Sequence, residues 1–369
     1  MTLHQHLVVF VLLGCASSGG PPRVESVATR ASHVVDLVSS SDSICVAWSS
    51  GEVHCTTTSG PATVVGARDV VSMAAFGHRM CGLTREGRIA CWSAAHDGVS
   101  EASMLSASTP SEVVVGSFMV CWIRAGRIAC EGDEALMPWT PPEGDDWANL
   151  SLGRLHGCGT RRGFGACWGR GDAGAVDGSP RSDEDLSVSF PVPLQQEPLR
   201  TVRADLKRTC AVTRAGALWC FGPLDLLRES DGSAPADLVR IEGVWTDVFL
   251  GRDVTCALDR DGRPHCWGVA TNGLLGAHVR AERECVFPMA DAPPRSVPCT
   301  SRPAPIELVR VSKMTIGHRF ACAMDEGHNV FCWGSNERGQ IAFPPSTLPH
   351  YEPTLIARGL RDVGNGGGP

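Results

Sequence analysis

Apolar and polar positions fall into a short block that returns along the chain. In CGLTREGRIAC, from Cys81 to Cys91, a cysteine leads into an apolar position, a short polar stretch carries Gly87, and an apolar segment runs back to the second cysteine. That is the layout of two strands joined by a tight turn. The block recurs as Cys45/Cys55, Cys121/Cys130, Cys158/Cys167, Cys210/Cys220, Cys256/Cys266 and Cys322/Cys332, which makes seven copies. The turn glycines are Gly51, Gly87, Gly126, Gly163, Gly216, Gly262 and Gly327. Where the spacing shrinks to nine, in CWIRAGRIAC and CGTRRGFGAC, the residue is lost before the glycine, so the strands keep their length and the turn is trimmed.

Opposed residues of an antiparallel hairpin that share no hydrogen bonds have Cα atoms about 4.5 Å apart, inside the roughly 4.4 to 6.8 Å that a disulfide accepts. Each pair is therefore expected to close on itself, and Cys285 with Cys299 makes an eighth. Closing a ten-residue loop stabilises by about 2.7 kcal/mol on the chain-entropy model, an upper figure because a hairpin turn is already partly ordered. Structural zinc uses cysteines two to four residues apart, a spacing these pairs never show, so neither metal nor cofactor is expected.

First cysteines of successive copies stand 36, 40, 37, 52, 46 and 66 residues apart. Four strands of about five to six residues with turns of three to four fill roughly 36, so the shortest repeats are bare four-stranded units. Such a unit buries its apolar faces only against its neighbours, which predicts an all-β, seven-bladed β-propeller with four-stranded antiparallel blades and disulfide-stapled hairpins. The aromatic after the second cysteine (Trp92, Trp168, Phe221, Trp267, Trp333) is expected to pack between blades.

These residues resemble the repeat of the regulator of chromosome condensation family, whose blade is similar to G-x-x-H-x-C-A-L, a turn, then W-G-x-N-x-x-G-Q-L-G. FCWGSNERGQI, from Phe331 to Ile341, matches the second part almost letter for letter. Trp267-Gly268 with Gly273 and Gly276, Trp168-Gly169 with Gly174, and Trp92 with Gly98 keep the step from aromatic to glycine; Cys55-Thr56 and Cys130-Glu131 lack the aromatic. The glycine before the first cysteine survives in Gly77-His78, Gly153, Gly251 and Gly317-His318. The resemblance covers roughly Val24 to Val363. It implies a propeller scaffold that binds proteins, in a family whose members include a nucleotide exchange factor for a small GTPase and secreted inhibitors of β-lactamase, with activity placed in variable loops. No segment here aligns with the exchange factor's GTPase-contacting loop.

The chain opens with a short apolar run, LVVFVLL from Leu7 to Leu13, too brief to span a bilayer as a helix of about 20 residues. It ends in Leu12-Leu13-Gly14-Cys15, which resembles a bacterial lipobox and makes Cys15 the expected lipidation site; the preceding MTLHQH lacks Lys and Arg. An ordinary secretory signal with an incidental cysteine is the other reading. Parity favours lipidation: without Cys15, the seventeen cysteines leave sixteen that pair completely. Fully paired cysteines belong outside the reducing cytosol. The resulting plan is a signal peptide over residues 1–14, a flexible tether over 15–22, the propeller over 23–363 and a disordered Gly-rich tail over 364–369.

A net charge of −7, with Lys207 and Lys313 the only lysines, argues against nucleic acid as a partner. The chain has no G-x-S-x-G, no H-E-x-x-H, no Walker loop and no sialidase box. His78 and His318 fall at turn positions of the repeat, and His54 and His265 precede a cysteine on a strand, as structural residues do. Asp69, Asp247 and Asp362 precede strands at similar places and are the carboxylates a channel could gather. Function is instead expected in the long loops, Asp172 to Arg200 and Val269 to Arg310. The second carries ECVFPMADAPPRSVPC, with Phe287 and Met289 as candidate anchors in the binding loop. The expectation is a monomeric, non-catalytic, lipid-anchored lipoprotein of the bacterial envelope, on the outer membrane and facing periplasm or exterior, that binds an unknown protein or envelope macromolecule. A propeller enzyme of the envelope, a hydrolase or lyase, and a purely structural component are the alternatives.

Overall fold

The computed structural model describes residues 32–358 apart from 106–108, 134–138, 171–174, 177–189, 191–193, 207, 223–237, 277–278, 280, 288–294 and 343. The signal peptide, Cys15, the tether, Asp362 and the tail lie outside the described residues.

Seven antiparallel sheets follow one another along the chain. The first holds β1 (Val34–Ser39), β2 (Ile44–Trp48), β3 (Glu52–Thr57) and β4 (Gly60–Arg68). The second holds β5 (Val70–Phe76), β6 (Arg79–Thr84) and β7 (Ile89–Ala95), with β7 paired to both β8 (Gly98–Val99) and β9 (Ser103–Leu105). The third is β10 (Glu112–Val115), β11 (Met119–Arg124) and β12 (Arg127–Gly132); the fourth is β13 (Trp147–Leu152), β14 (His156–Arg161) and β15 (Phe164–Gly169). The fifth has β16 (Leu199–Asp205), β17 (Arg208–Thr213), β18 (Leu218–Phe221) and β19 (Leu238–Ile241). The sixth has β20 (Asp247–Leu250), β21 (Val254–Leu258), β22 (Pro264–Val269), β23 (Arg283–Phe287) and β24 (Arg295–Pro305), in the order β20-β21-β22-β24-β23. The seventh has β25 (Val311–Ile316), β26 (Phe320–Asp325), β27 (Val330–Asn336) and β28 (Ser346–Ala357).

Four strands per blade is thus the prevailing count and not a uniform one. Among the described residues the third and fourth sheets have three strands, and the second and sixth have five. Beside the fourth sheet Val176, Phe190 and Leu194 pack in one cluster with Cys158 and Cys167 and with the fifth blade.

Each hairpin forms in the expected register. Cys45 faces Cys55, Cys81 faces Cys91, Cys121 faces Cys130, Cys158 faces Cys167, Cys210 faces Cys220, Cys256 faces Cys266, and Cys322 faces Cys332. All seven pairs are disulfides with Cα atoms 4.0 to 4.1 Å apart. Four of the turns share a side-chain cap at the end of the second strand. Thr84 Oγ1 accepts from the Arg88 amide at 3.1 Å, Thr213 Oγ1 from Ala217 at 3.1 Å, Asp259 Oδ1 from Arg263 at 2.9 Å and Asp325 Oδ1 from Asn329 at 2.8 Å. Six of the seven turn glycines have positive φ; in the seventh turn His328 takes the left-handed conformation, at φ 60°, in place of Gly327.

Burial explains how the blades stack. The second strand is apolar on both faces, as in β21, where all five residues are buried. Each of the seven hairpin disulfides enters an apolar cluster shared with the next blade. Trp92, Trp168, Phe221, Trp267 and Trp333 each pack in the cluster holding the preceding blade's disulfide, as the sequence predicted. At the two remaining boundaries Val113, Val115 and Val120, or Leu37, Ile44 and Val46, take that place.

Neighbouring first strands touch all the way round, from β1 to β5, β10, β13, β16, β20, β25 and back to β1. Among the described residues no strand is shared between the first and last sheets, and side chains carry much of the closure. Asp36 is buried on β1, accepts from the Met73 amide at 2.6 Å and pairs with Lys313 on β25. Ser39 and Thr315 hydroxyls are 2.7 Å apart, Arg338 Nη1 donates to Asp42 Oδ2 at 2.9 Å, and His328 Nδ1 lies 2.8 Å from the Val34 carbonyl.

Candidate macromolecule-binding face

Strand direction alternates within each sheet, so the loop from first to second strand and the connection after the third strand leave from the same end of the blade. Backbone hydrogen bonds tie the two together: Ala94 N to His78 O at 2.9 Å, Val269 N to Asp253 O at 2.9 Å, and Ser335 N to Arg319 O at 2.7 Å. Connections after the third strand therefore all leave from one face. Its inner loops are linked between blades, Ser41 N donating to Gly77 O at 2.8 Å, His318 N to Ser41 O at 2.8 Å, and Arg154 N to Leu206 O at 3.0 Å. Insertions on this face rise from a rigid hub.

The segment read as a long loop closed by Cys285 and Cys299 is a hairpin built into the sixth sheet. Val269 pairs with Cys299 and Gly268 with Thr300, while β23 pairs with β24 as a fifth strand. The disulfide, with Cα atoms 5.8 Å apart, packs with Val269 and Val297 in its own small apolar cluster. The alternation that builds it, Val297 and Cys299 inward on β24, is visible in RSVPC, but the flanking prolines conceal it. Phe287 lies at the end of β23, its backbone opposite Arg295. Met289 lies outside the described residues.

The glycine of G-x-x-H has a steric reason. A Cβ on Gly153 would come within 2.4 Å of the His156 ring, and one on Gly317 within 2.1 Å of the Phe320 ring, so only glycine lets the ring three residues on fold back over the loop. His156 is fully buried, and its Nε2 lies 3.0 Å from Thr209 Oγ1 in the next blade. Burial lowers its pKa to about 4. Between about 6.5, the ordinary histidine value, and about 4 the unfolded chain binds a proton that the folded one does not. The neutral ring thus contributes stability that is full above pH 6.5 and lost as pH falls toward 4, on the order of 3 kcal/mol. His156→Gln should flatten this part of the stability profile in urea titrations between pH 7 and 4; an unchanged profile would refute the assignment.

The other histidines are held locally. His54 Nε2 is 3.3 Å from Glu52, His265 Nε2 is 3.0 Å from Asp259 beside the Trp245 ring, and His78 is exposed. Burial, Arg319 and Arg252 together hold His318 below the usual histidine range.

The central channel, about 520 Å³, is lined by the first strands of all seven sheets. Asp69 and Asp247 do not line it: Asp69 sits at φ 54° beside Gly51, and Asp247 pairs with Arg203 at 3.3 Å. The acids that do are Glu112 and Asp205, both raised by burial, with Asp205 Oδ2 buried 3.8 Å from Arg208. Among the described residues no three of His, Cys, Asp and Glu are grouped to hold a metal ion.

Residues 311–340, in the seventh blade, match the regulator of chromosome condensation (RCC1) repeat. Over 239 residues, 61% of the chain, it is 30% identical to the human E3 ubiquitin-protein ligase HERC2, and it spans about 4% of that relative's length. Among solved structures it is similar to yeast RCC1 (Prp20) as crystallised with Kap60, with a TM-score of 0.63 and 16% identity over 79% of this chain and 76% of that one. It is also similar to human WBSCR16, with a TM-score of 0.62 and 15% identity over 80% and 84% of the two chains. The chain is a seven-bladed β-propeller whose seventh blade matches the RCC1 repeat.

Proposed function

We propose that the protein is an extracytoplasmic, non-catalytic propeller that binds another macromolecule, a protein above all, through the face carrying its insertions. The observation that carries this reading is the disulfide-closed hairpin of the sixth blade, which adds a fifth strand that the four-stranded blades do without. A pre-ordered hairpin loses little freedom when a partner docks, so more of its contact energy appears as affinity. The similarity to yeast RCC1, crystallised with Kap60, supports a binding role for this fold. Eight disulfides fit an oxidising compartment outside the cytosol. The unpaired seventeenth cysteine, Cys15, is assigned as the lipid anchor in a bacterial envelope, on the outer membrane, and the propeller is monomeric.

Site-specific photocrosslinking in intact cells tests the binding face. A benzophenone side chain at exposed Ser296, on the hairpin, should give a discrete adduct, and one at exposed Arg260, in a turn at the opposite end of the blade, should not. Replacing residues 288–294 with a Gly/Ser linker of equal length leaves the β23–β24 register in place and should abolish the adduct without lowering the melting temperature. Equal adducts at both positions, or an adduct indifferent to the linker, would remove the hairpin from the binding site. Separately, Cys15→Ser should move the protein from the detergent phase to the aqueous phase, and retention in the detergent phase would sink the lipid assignment.

A further inference from the structure

A second site lies on the side wall, between the outer strands of the sixth and seventh blades. A groove of about 420 Å³ runs along β24 and β28, with Leu275, Val279, Ile306 and Tyr351 supplying its apolar lining. Prolines stiffen both walls, Pro303 and Pro305 on one side and Pro353 on the other. The wall on β24 begins next to Cys299, which is buried and disulfide-bonded, and includes buried Thr300, so this side is held in place before anything binds. On the other side the Tyr351 ring leans over Gly273, where a Cβ would meet its Cδ1 at 3.2 Å.

The surroundings of the groove are unusual for this molecule in two ways. Three of the nine large apolar side chains exposed among the described residues, Leu348, Tyr351 and Leu355, belong to the single strand β28, at 76%, 53% and 37% exposure, so apolar surface is concentrated beside the groove. The groove is also acidic. Glu282, Glu307 and Glu352 line it against one guanidinium, Arg302, which stands 4.0 Å from Glu282; Glu307 and Glu352 have no ion-pair partner among the described residues.

We propose that this groove is a docking site for an extended peptide segment of a partner, one carrying aliphatic or aromatic side chains flanked by lysine or arginine. The apolar lining takes the side chains, and the two unpaired carboxylates at the lip select the flanking cations. Strand addition along β28 is the lesser mode, because Pro349 and Pro353 interrupt the amides its free edge offers. A small molecule is disfavoured because the charged groups of the groove, Glu282, Arg302, Glu307 and Glu352, sit at its exposed lip and not in its floor. This site is independent of the hairpin tip on the insertion face.

Panning a random dodecapeptide library displayed on phage against the purified propeller tests the proposal. Enriched peptides should carry apolar residues next to Lys or Arg, and their fluorescein-labelled synthetic forms should bind more weakly as salt rises. Glu307→Gln with Glu352→Gln should weaken binding about fivefold at low salt. Tyr351→Ser should weaken it about 30-fold, as loss of a buried aromatic anchor does. Both glutamates are exposed, so the double glutamine variant keeps the fold even where Tyr351→Ser does not. The linker at residues 288–294 should leave peptide binding unchanged, which separates this site from the insertion face. Enrichment of acidic or uncharged peptides, no enrichment over an unrelated propeller, or affinities unmoved by the groove substitutions would overturn the proposal.

Discussion

Replacing Trp333 with alanine should destabilise the propeller by about 3 to 5 kcal/mol, the range for deleting a fully buried large aromatic. The side chain is completely buried, in the cluster that joins the sixth blade's disulfide to Leu274, Ile306 and Met314. Its indole Nε1 donates to the Leu274 carbonyl at 2.9 Å. Alanine would leave a cavity between two blades and a carbonyl without its donor, and the stacked sheets on either side cannot collapse into the space without shifting their own disulfides. Trp333→Phe keeps most of the volume and loses the hydrogen bond, so it should cost less. Trp219 provides the contrast: it is partly exposed on β18, at the margin of its inter-blade cluster, with the Arg240 guanidinium 6.0 Å from its ring centroid, so its replacement should cost less. Urea midpoints measure all three. A shift for Trp333→Ala no larger than that for Trp219→Ala would show that the aromatic after the second cysteine is not what couples blade to blade.

That coupling was legible in the sequence because it uses chemistry that repeats. The cysteine pair, the glycine between and the aromatic after it recur at fixed spacing, and each is fixed by a contact inside one hairpin or across one boundary. Outer strands carry no such chemistry. The fourth strand of a blade is exposed on much of its surface, as the mixed burial of β4 and β28 shows, so little in its residues is constrained and its sequence does not repeat. This is why the three-stranded third and fourth sheets and the five-stranded second and sixth could not be told from a four-stranded blade by spacing alone.

The closure of the ring was hidden for another reason. Asp36 meets Lys313 across 277 positions of sequence, and spacing arguments reach only neighbours. The one local sign was an acidic residue inside the apolar run VVDLVS of β1, where a buried carboxylate has to find a partner. Asp69 and Asp247 drew attention by their place before strands, yet Asp69 sits in a turn beside Gly51, and Asp247, the first residue of β20, pairs with Arg203. The binding hairpin was legible as an insertion with a disulfide; its strands were not, because Pro293, Pro294 and Pro298 look like loop residues, and Pro298 in fact sits within β24, where its carbonyl accepts from the Ala270 amide at 2.8 Å.

Reduction should take the fold apart, and it should begin at the third blade. Fifteen of the sixteen disulfide cysteines are buried; Cys130 is the one partly exposed. The cause is architectural. Its strand, β12, is the edge of a three-stranded sheet among the described residues, whereas in the equally short fourth sheet Val176, Phe190 and Leu194 cover Cys167. A thiol reductant attacks the sulfur it can reach, so in native buffer with dithiothreitol the first cysteines to be alkylated should be Cys121 and Cys130, read by differential labelling and mass spectrometry. The remaining pairs open only as blades separate. Each ten-residue loop is worth at most about 2.7 kcal/mol, yet even a third of that over seven hairpins is about 6 kcal/mol, comparable with the whole stability of many domains. Blades that bury their faces only against each other have no second source of order when the hairpins loosen, so loss of near-ultraviolet circular dichroism should follow the later pairs and not the first. Simultaneous labelling of all pairs, first reaction at Cys285 and Cys299, or a fully reduced protein that keeps its near-ultraviolet spectrum would each show that the staples are not what holds the seven blades in their ring.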